Sequence, residues 1–444
     1  MPLEWEWEWE WEWERTVGVV GPRTPESDAD ADAGADAGEL LAVHSSYPFA
    51  HFPVPGAEVR VSGLTWVGVH PAHRRRGILR SIIERHFTDC VERGEPVSAL
   101  FAAESAIYGR FGYGLAASDL KVTVPRGARL RPVTGTEDLT VRIEILDARR
   151  HTDLVADAHR RAGTFSGGLN RPGWATRETV ALRERHVSDP AALREGRGAR
   201  RIAIVERDGE ACAYATFQRT VEWADGGPRK TVHTREVIAL DPAAAHRLWS
   251  VLLDLDLTSE VAASTLPTDD VITHLLVNPL SARPRRSDNV WVRLIDVPAA
   301  LSGRRYVADL DVVLDVTDDL LPRNAGSWRI RAESLGEVEV ERTTASPDLR
   351  MSVRDLGAAY LGGVTLAGLA TAGLVTEHTH GAHPRGTAQH LGGIRLAARA
   401  GVQLGVLSQT PAEGGSSSQE PPSPSGGDGD FACSAGPRSG GTRE

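Results

Sequence analysis

Lysine is nearly absent from this chain. Lys121 and Lys230 are the only two, and arginine supplies the rest of its 50 basic residues, as codon bias in a GC-rich gene would give. Cysteine is as scarce. Cys90, Cys212 and Cys433 stand far apart, which excludes a paired-cysteine metal or redox motif and agrees with a reducing, cytoplasmic setting. No apolar run approaches the roughly 20 residues that span a bilayer, so no membrane helix is expected. The first residues lack the basic-then-apolar pattern of a secretory leader. Positive charge is in deficit overall, with a formal net charge of −10, and a polyanion would be repelled except at local basic patches. Nucleic acid is therefore not an expected partner; a cationic substrate fits better. What is present is an ordinary globular composition, 41% hydrophobic and 25% charged. The 444 residues suffice for two or three domains, each burying its own core.

The most informative stretch is residues 64–87, LTWVGVHPAHRRRGILRSIIERHF. Leu64, Trp66 and Val67 are strand formers, and Pro71 ends the run. Ile78, Leu79, Ile82, Ile83 and Phe87 then recur at helical spacing, which leaves Arg80, Glu84 and Arg85 on the other side. Arg74, Arg75, Arg76 and Gly77 fall where that helix begins. A helix start offers unpaired N–H groups and partial positive charge, and arginines add to it. Glycine lets a ligand approach the backbone closely. The pattern predicts a phosphate-type anion site beside a strand edge, although Arg-x-x-Gly alone more often marks a solvated basic turn.

The rest of the chain repeats this unit once. Residues 4–14 alternate Glu and Trp, nominally a strand period, but so bare a repeat reads as low-complexity sequence or a mistaken start codon. Residues 16–20 form a short predicted strand, and 26–39, with Asp-Ala repeats, an acidic flexible insertion. Residues 40–49 and 57–69 read as successive strands turned by Pro53, Pro55 and Gly56. After the helix come an apolar run at 97–102 and the motif IYGRFGYG at 107–114. From about residue 141 the pattern restarts. Arg- and Ala-rich helices lead to a hairpin, 202–206 and 213–221, turned at Asp208-Gly209. A strand at 236–240 and a helix at 243–257 flank Asp241-Pro242. This is a second copy of the fold without Arg-x-x-Gly, its phosphate site gone, and residues 290–297 close it. Alternating strands at 306–316 and 327–341, then helices at 353–361 and 365–374, make a smaller α+β domain. Beyond about residue 407 the chain is Ser/Gly/Pro-rich and expected to be disordered. The expected divisions are 1–39, 40–140, 141–300, 301–406 and 407–444.

The strand, Arg-x-x-Gly turn and helix resemble the acyl-CoA-binding signature of the GCN5-related N-acetyltransferases (GNAT). Leu79 stands where that superfamily usually keeps a small residue, and a narrower family shares the departure. VGVHPAHRRRGILR followed by IYGRFGYG, with VWVRLIDVPAAL at 290–301 and DLGAAYLGG at 355–363, is similar to the enhanced-intracellular-survival (Eis) family of actinobacterial N-acetyltransferases. The likeness runs over roughly residues 40–400. It implies an α+β fold of two tandem GNAT-type domains followed by a sterol-carrier-protein-like domain, assembled as a homohexamer. It implies acetyl-CoA as acetyl donor, no metal, and a primary amine as acceptor, of aminoglycoside, polyamine or protein-lysine type.

By the same resemblance Val67, Gly68 and Val69 would face the pantetheine arm and thioester. Arg74, Arg75, Arg76, Gly77, Ile78, Leu79 and Arg80 would form the pyrophosphate cradle. Ala103 and Glu104 would also touch the cofactor, Ala103 through its backbone alone because it replaces a hydroxyl residue. Tyr108, the first tyrosine of IYGRFGYG, would protonate the departing thiolate, a task that suits a phenol. Tyr113 is expected to be a packed aromatic. In the family the general base is the chain's own terminal carboxylate, usually on a phenylalanine. This chain ends Gly-Thr-Arg-Glu; Glu444 is not expected in the site, and a 3′ frameshift would produce such a tail. The base is open between water and another carboxylate. The family's first strand and helices, which line the amine pocket, are not found in the fifteen or so residues that precede the first predicted strand.

His378, His380 and His383 read as loop histidines, since no suitably spaced cysteine or carboxylate joins them. The acidic run 28–36 reads as a solvated linker. Beside the enzyme stands a second reading, a non-catalytic acyl-CoA- or lipid-binding protein of the same fold. A basic-patch nucleic-acid binder comes third, disfavoured by the net charge.

Overall fold

Asp208 and Gly209 both take positive φ, 52° and 84°, which is what a two-residue hairpin turn between right-twisted strands requires. They belong to a computed structural model that describes residues 13–21, 38–163, 171–194, 197–224 and 227–378. The Glu-Trp repeat over 4–12, the acidic run 28–36, His380, His383, Cys433, Glu444 and the Ser/Gly/Pro-rich tail lie outside the described residues.

The first copy contains β1 (Val17–Gly21), β2 (Glu39–Val54), β3 (Ala57–Val69), α1 (Ile78–Glu92), β4 (Val97–Phe101), α2 (Ser105–Tyr108) and β5 (Gly114–Pro125). The second contains β6 (Thr140–Ile145), α3 (Ala148–Gly163), α4 (Val180–Val187), β7 (Arg201–Arg207), β8 (Glu210–Ala224), β9 (Gly227–Ala239), α5 (Pro242–Leu253), β10 (Glu260–Leu266), α6 (Ile272–Leu275) and β11 (Arg285–Leu294). The last portion contains α7 (Val297–Ser302), β12 (Leu310–Thr317), β13 (Gly326–Ala332), β14 (Val338–Arg342), β15 (Leu349–Ser352), α8 (Val353–Tyr360), α9 (Leu366–Thr371) and β16 (Val375–Glu377). β2 runs five residues past its predicted end, through Pro53. Pairing with β1 ends at His44, among the described residues no other strand pairs with that edge, and a free edge tolerates proline.

The two copies share one eleven-stranded sheet, in the order β1-β2-β3-β4-β11-β5-β10-β9-β8-β7-β6. Here the sequence reading needs correction. Residues 290–297 were expected to close the second copy, but β11 lies between β4 and β5 of the first. Val290 to Leu294 pair antiparallel with Phe101 to Val97, and Arg285 to Val292 pair with Lys121 to Gly114. β5 in turn pairs with β10. A run such as VWVRL fits any central strand, so only its long-range partners decide which copy receives it.

β11 is buried on both faces, as a central strand should be. Val290, Val292 and Leu294 join one apolar cluster with Phe49, Phe52 and Val61, and also with Trp328, Leu356 and Tyr360 of the last portion. Trp291 and Ile295 join another, with Ile83, Phe87, Phe111 and Tyr113. The last portion is a five-stranded sheet, β14-β13-β12-β15-β16, and its α8 lies backbone-close on β5 and β11. A Cβ added at Gly114 would sit 2.0 Å from Arg354 O, and one at Gly357 would sit 2.5 Å from Val292 O. Glycine is therefore required at both contacts.

Candidate active site

The site begins where two parallel strands part. β3 and β4 pair only through Val61–Gly63 and Val97–Ala99, while β3 continues to Val69. On its other side β3 carries a bulge: Ser45 faces Thr65 and Val43 faces Gly68, so β3 has one residue more than β2 between these pairs. Trp66, in the bulge, takes φ 54°, a costly value for a residue with a side chain. A bulge bends its strand. Among the described residues no strand pairs with β3 on the β4 side beyond Gly63, and the edge left open there contains Val67, Gly68 and Val69.

β3 leads through a 3₁₀ turn, Pro71–His73, to the start of α1. Arg75 and Gly77 take φ 63° and 82°. No side chain caps the helix at Gly77, and a Cβ built there meets nothing within 4 Å. The first bond of the helix is from Ser81 N–H to Gly77 O, 3.1 Å, so the N–H groups of Ile78, Leu79 and Arg80 have no intrahelical acceptor. Arg74, Arg75 and Arg76 are exposed beside them. The Arg80 guanidinium donates to Glu84 at 2.7 Å, so this residue offers the turn its backbone rather than its charge.

One apolar cluster brings the predicted site elements together. Val67, Leu79, Ile107 and Tyr108 all pack against the group containing Ile83, Phe87, Phe111 and Tyr113. Ala103 and Glu104 are exposed between β4 and α2. Tyr108 is half-buried; burial pushes its phenol pKa up, and the Glu104 carboxylate adds to the effect. It therefore holds its proton at neutral pH. Tyr113 is fully buried, and its hydroxyl lies 2.8 Å from Ser98 Oγ, which lies 2.8 Å from His86 Nε2.

Behind the arginines lies a cluster that the motif does not signal. His73 Nδ1 lies 3.1 Å from Arg76 Nη1, and His73 Nε2 lies 3.1 Å from Glu39 Oε1. Glu39, His70 and His73 also bring one ligating atom each within 4.8 Å of one another, although no metal was expected. His73 is local to the motif, but Glu39 is 34 residues away and carried no signal.

The second copy repeats the scaffold, but a side chain caps its helix start. β9 and β10 pair in parallel through Thr231–Thr234 and Glu260–Ala263. β9 carries its own bulge, since Thr216 faces Glu236 and Phe217 faces Thr234. At the start of α5, however, the Asp241 carboxylate accepts from Ala244 N–H at 2.8 Å and from Arg207 at 2.8 Å. An anion built into the chain occupies the helix start. Just after the bulge, buried Glu236 pairs with Arg177 and accepts from Tyr214 at 2.5 Å.

Residues 28–116 match the family model of an acetyltransferase (GNAT) domain. Residues 167–294 match a second acetyltransferase (GNAT) domain model, and 297–397 match that of a sterol carrier protein domain. An uncharacterized N-acetyltransferase of Streptomyces avermitilis is 39% identical over 310 residues, 69% of this chain and 73% of the relative. N-acetyltransferase Eis of Mycobacterium tuberculosis is 31% identical over 338 residues, 74% of this chain and 78% of the relative. The chain belongs to the Eis family of GNAT acetyltransferases. The crystal structure of Eis1 from Mycobacterium abscessus superposes on this Eis-family chain with a TM-score of 0.66 at 31% identity, covering 87% of this chain and 88% of that one. A GCN5-related N-acetyltransferase from Anabaena variabilis shares the fold, with a TM-score of 0.64 at 18% identity over 83% and 85% of the two chains. The Eis-family protein is thus an acetyltransferase with two GNAT domains and a sterol-carrier-like third, and β11, within the second GNAT match, completes the sheet of the first. Among its described residues no helix is long and apolar enough to cross a membrane.

Proposed function

We propose that this Eis-family protein transfers the acetyl group of acetyl-CoA to a primary amine, of aminoglycoside, polyamine or protein-lysine type, as a cytoplasmic homohexamer. One observation carries the reading: the open β3 edge at Val67–Val69 leads into an uncapped, arginine-flanked helix start at Gly77, with a protonated, half-buried phenol at Tyr108 on the same apolar cluster. In this reading the N–H groups of Ile78, Leu79 and Arg80, with Arg75 and Arg76, take the pyrophosphate. Gly77 admits it because no Cβ intervenes. Val67, Gly68 and Val69 pair with the pantetheine arm, and a free N–H of that edge steadies the oxyanion that forms when the amine attacks. Ala103 and Glu104 border the donor. Tyr108 gives its proton to the departing sulfur. Water or a carboxylate takes the proton that the amine sheds, and the net charge of −10 favours a cationic acceptor.

Calorimetry with acetyl-CoA, run beside a free-thiol release assay on panels of polyamines, aminoglycosides and lysine peptides, tests the reading. Binding with thiol release is expected, and Tyr108→Phe should cut turnover about 100-fold without weakening acetyl-CoA binding. Tight binding with no release for any amine would overturn it.

A further inference from the structure

We infer that Glu39 and His73 are positioning residues, holding Arg76 in place for the phosphates of coenzyme A. The inference rests on the acetyl-CoA reading above and names a part of that site that lies outside the strand–turn–helix motif.

Hydrogen-bond bookkeeping sets the direction of the relay. A guanidinium has no acceptor atom, so in the 3.1 Å contact between Arg76 Nη1 and His73 Nδ1 the arginine donates. His73 Nδ1 is therefore unprotonated, and the ring proton of the neutral imidazole sits on Nε2. There it donates to Glu39 Oε1, also at 3.1 Å. The imidazole links a carboxylate to a guanidinium in one fixed tautomer.

The surroundings hold this relay in place. The side chains of His73 and Glu39 are 13% and 23% exposed, so both are largely shielded from water. Glu39 Oε2 is buried without a hydrogen-bond partner among the described residues, so the carboxylate keeps acceptor capacity beyond its bond to His73. The His70 ring lies 5.6 Å from that of His73. His70 is fixed in turn, with its N–H donating to Leu41 O at 2.8 Å and its Nδ1 accepting from Ala72 N–H at 3.4 Å. Arg74 and Arg75 are like charges that would push a free Arg76 outward, and Glu39 offsets them. An arginine already oriented loses less rotamer freedom when it meets a phosphate.

The same geometry sets a competing occupant. Glu39, His70 and His73 are close enough to hold a divalent cation. A cation bound through His73 Nε2 would take that lone pair, force the proton to Nδ1, and remove the acceptor that Arg76 uses. The relay and a metal site are therefore mutually exclusive at His73.

Calorimetric affinities for acetyl-CoA and for S-acetylpantetheine, which lacks the phosphates, test the inference in the full-length protein. His73→Ala should weaken acetyl-CoA about tenfold, Glu39→Ala should weaken it by a smaller factor, and neither should change S-acetylpantetheine. His73→Asn, which keeps an acceptor near the Nδ1 position, should recover most of the loss; His73→Gln, whose amide reaches the Nε2 position, should not. At saturating acetyl-CoA the kcat of His73→Ala should stay within about twofold of wild type, with the change appearing in KM. Unchanged acetyl-CoA affinity in His73→Ala would overturn the relay, as would equal weakening of the two donors. Stoichiometric zinc binding that is lost in His73→Ala would also overturn it, in favour of a metal site. If the wild type binds S-acetylpantetheine as well as acetyl-CoA, the phosphate cradle itself fails, an outcome the wild-type titrations alone identify.

Discussion

Tyr108 and Tyr113 meet edge to face, ring centroids 5.9 Å apart and planes at 75°, in opposite settings. Tyr113 is sealed in the core with its hydroxyl on Ser98, whereas Tyr108 stays half-open beside Glu104. Tyr113→Phe keeps the ring contact and removes one buried bond, while Ser98 retains His86. The expected cost is about 1 kcal/mol of stability with turnover preserved. Tyr108→Phe should show the reverse, near-wild-type urea unfolding with lost turnover. Loss of turnover in Tyr113→Phe at full stability would mean that the roles of the two tyrosines are exchanged.

Gly77→Ala probes the cradle from the backbone. A methyl group has room at Gly77, so the folding cost is only that of holding alanine at φ 82°, about 1 kcal/mol. The same methyl group stands in the path of a phosphate approaching Ile78 N–H. Acetyl-CoA affinity, measured by calorimetry, should fall more steeply than stability. Wild-type affinity in a folded Gly77→Ala protein would move the phosphates elsewhere.

Arg293 on β11 and Asp318 after β12 form a buried pair, with both carboxylate oxygens 2.8 Å from Arg293 Nη2. The guanidinium also lies 5.2 Å from the centre of the Phe87 ring. Asp318→Ala leaves that charge buried and unpaired, which should cost about 3–5 kcal/mol in urea unfolding. A cost below about 1 kcal/mol, the value of an exposed pair, would mean that water reaches Arg293.

Buried histidines, His44, His86 and His186 among them, should make the protein acid-sensitive. Burial pushes the His44 pKa down to about 4 and that of His86 down to about 3. The unfolded chain takes up these protons near pH 6.5, so between 6.5 and the folded values it binds more of them than the folded chain does. Stability should therefore fall as pH drops below about 6.5, by at most about 1.4 kcal/mol per unit for each histidine. Unfolding measured at pH 7, 6 and 5 checks the slope, and His44→Leu should make it shallower.

What could be read in advance was local. The Asp208-Gly209 turn and the strand–turn–helix unit at Val67–Leu79 each depend on residues close together in sequence, where spacing and turn chemistry act directly. The position of β11 and the partner of His73 were not legible. Val290 to Leu294 are good strand formers in any central slot, and Glu39 meets His73 only because β2 folds back along β3. The burial of His86 was hidden for a related reason: it lies on α1 beside Phe87, and Ser98, whose hydroxyl lies 2.8 Å from its Nε2, comes from β4.

The placement of β11 also bears on how this gene can change. A duplicated domain that loses its binding site is ordinarily dispensable, since the intact copy carries on alone. Here the copy whose helix start is uncapped borrows a strand from the one whose helix start Asp241 caps. Deleting the second repeat would withdraw β11 from beside β4 and β5 and leave both with unpaired edges. The second repeat is thus part of its neighbour's framework, whatever its own helix start binds.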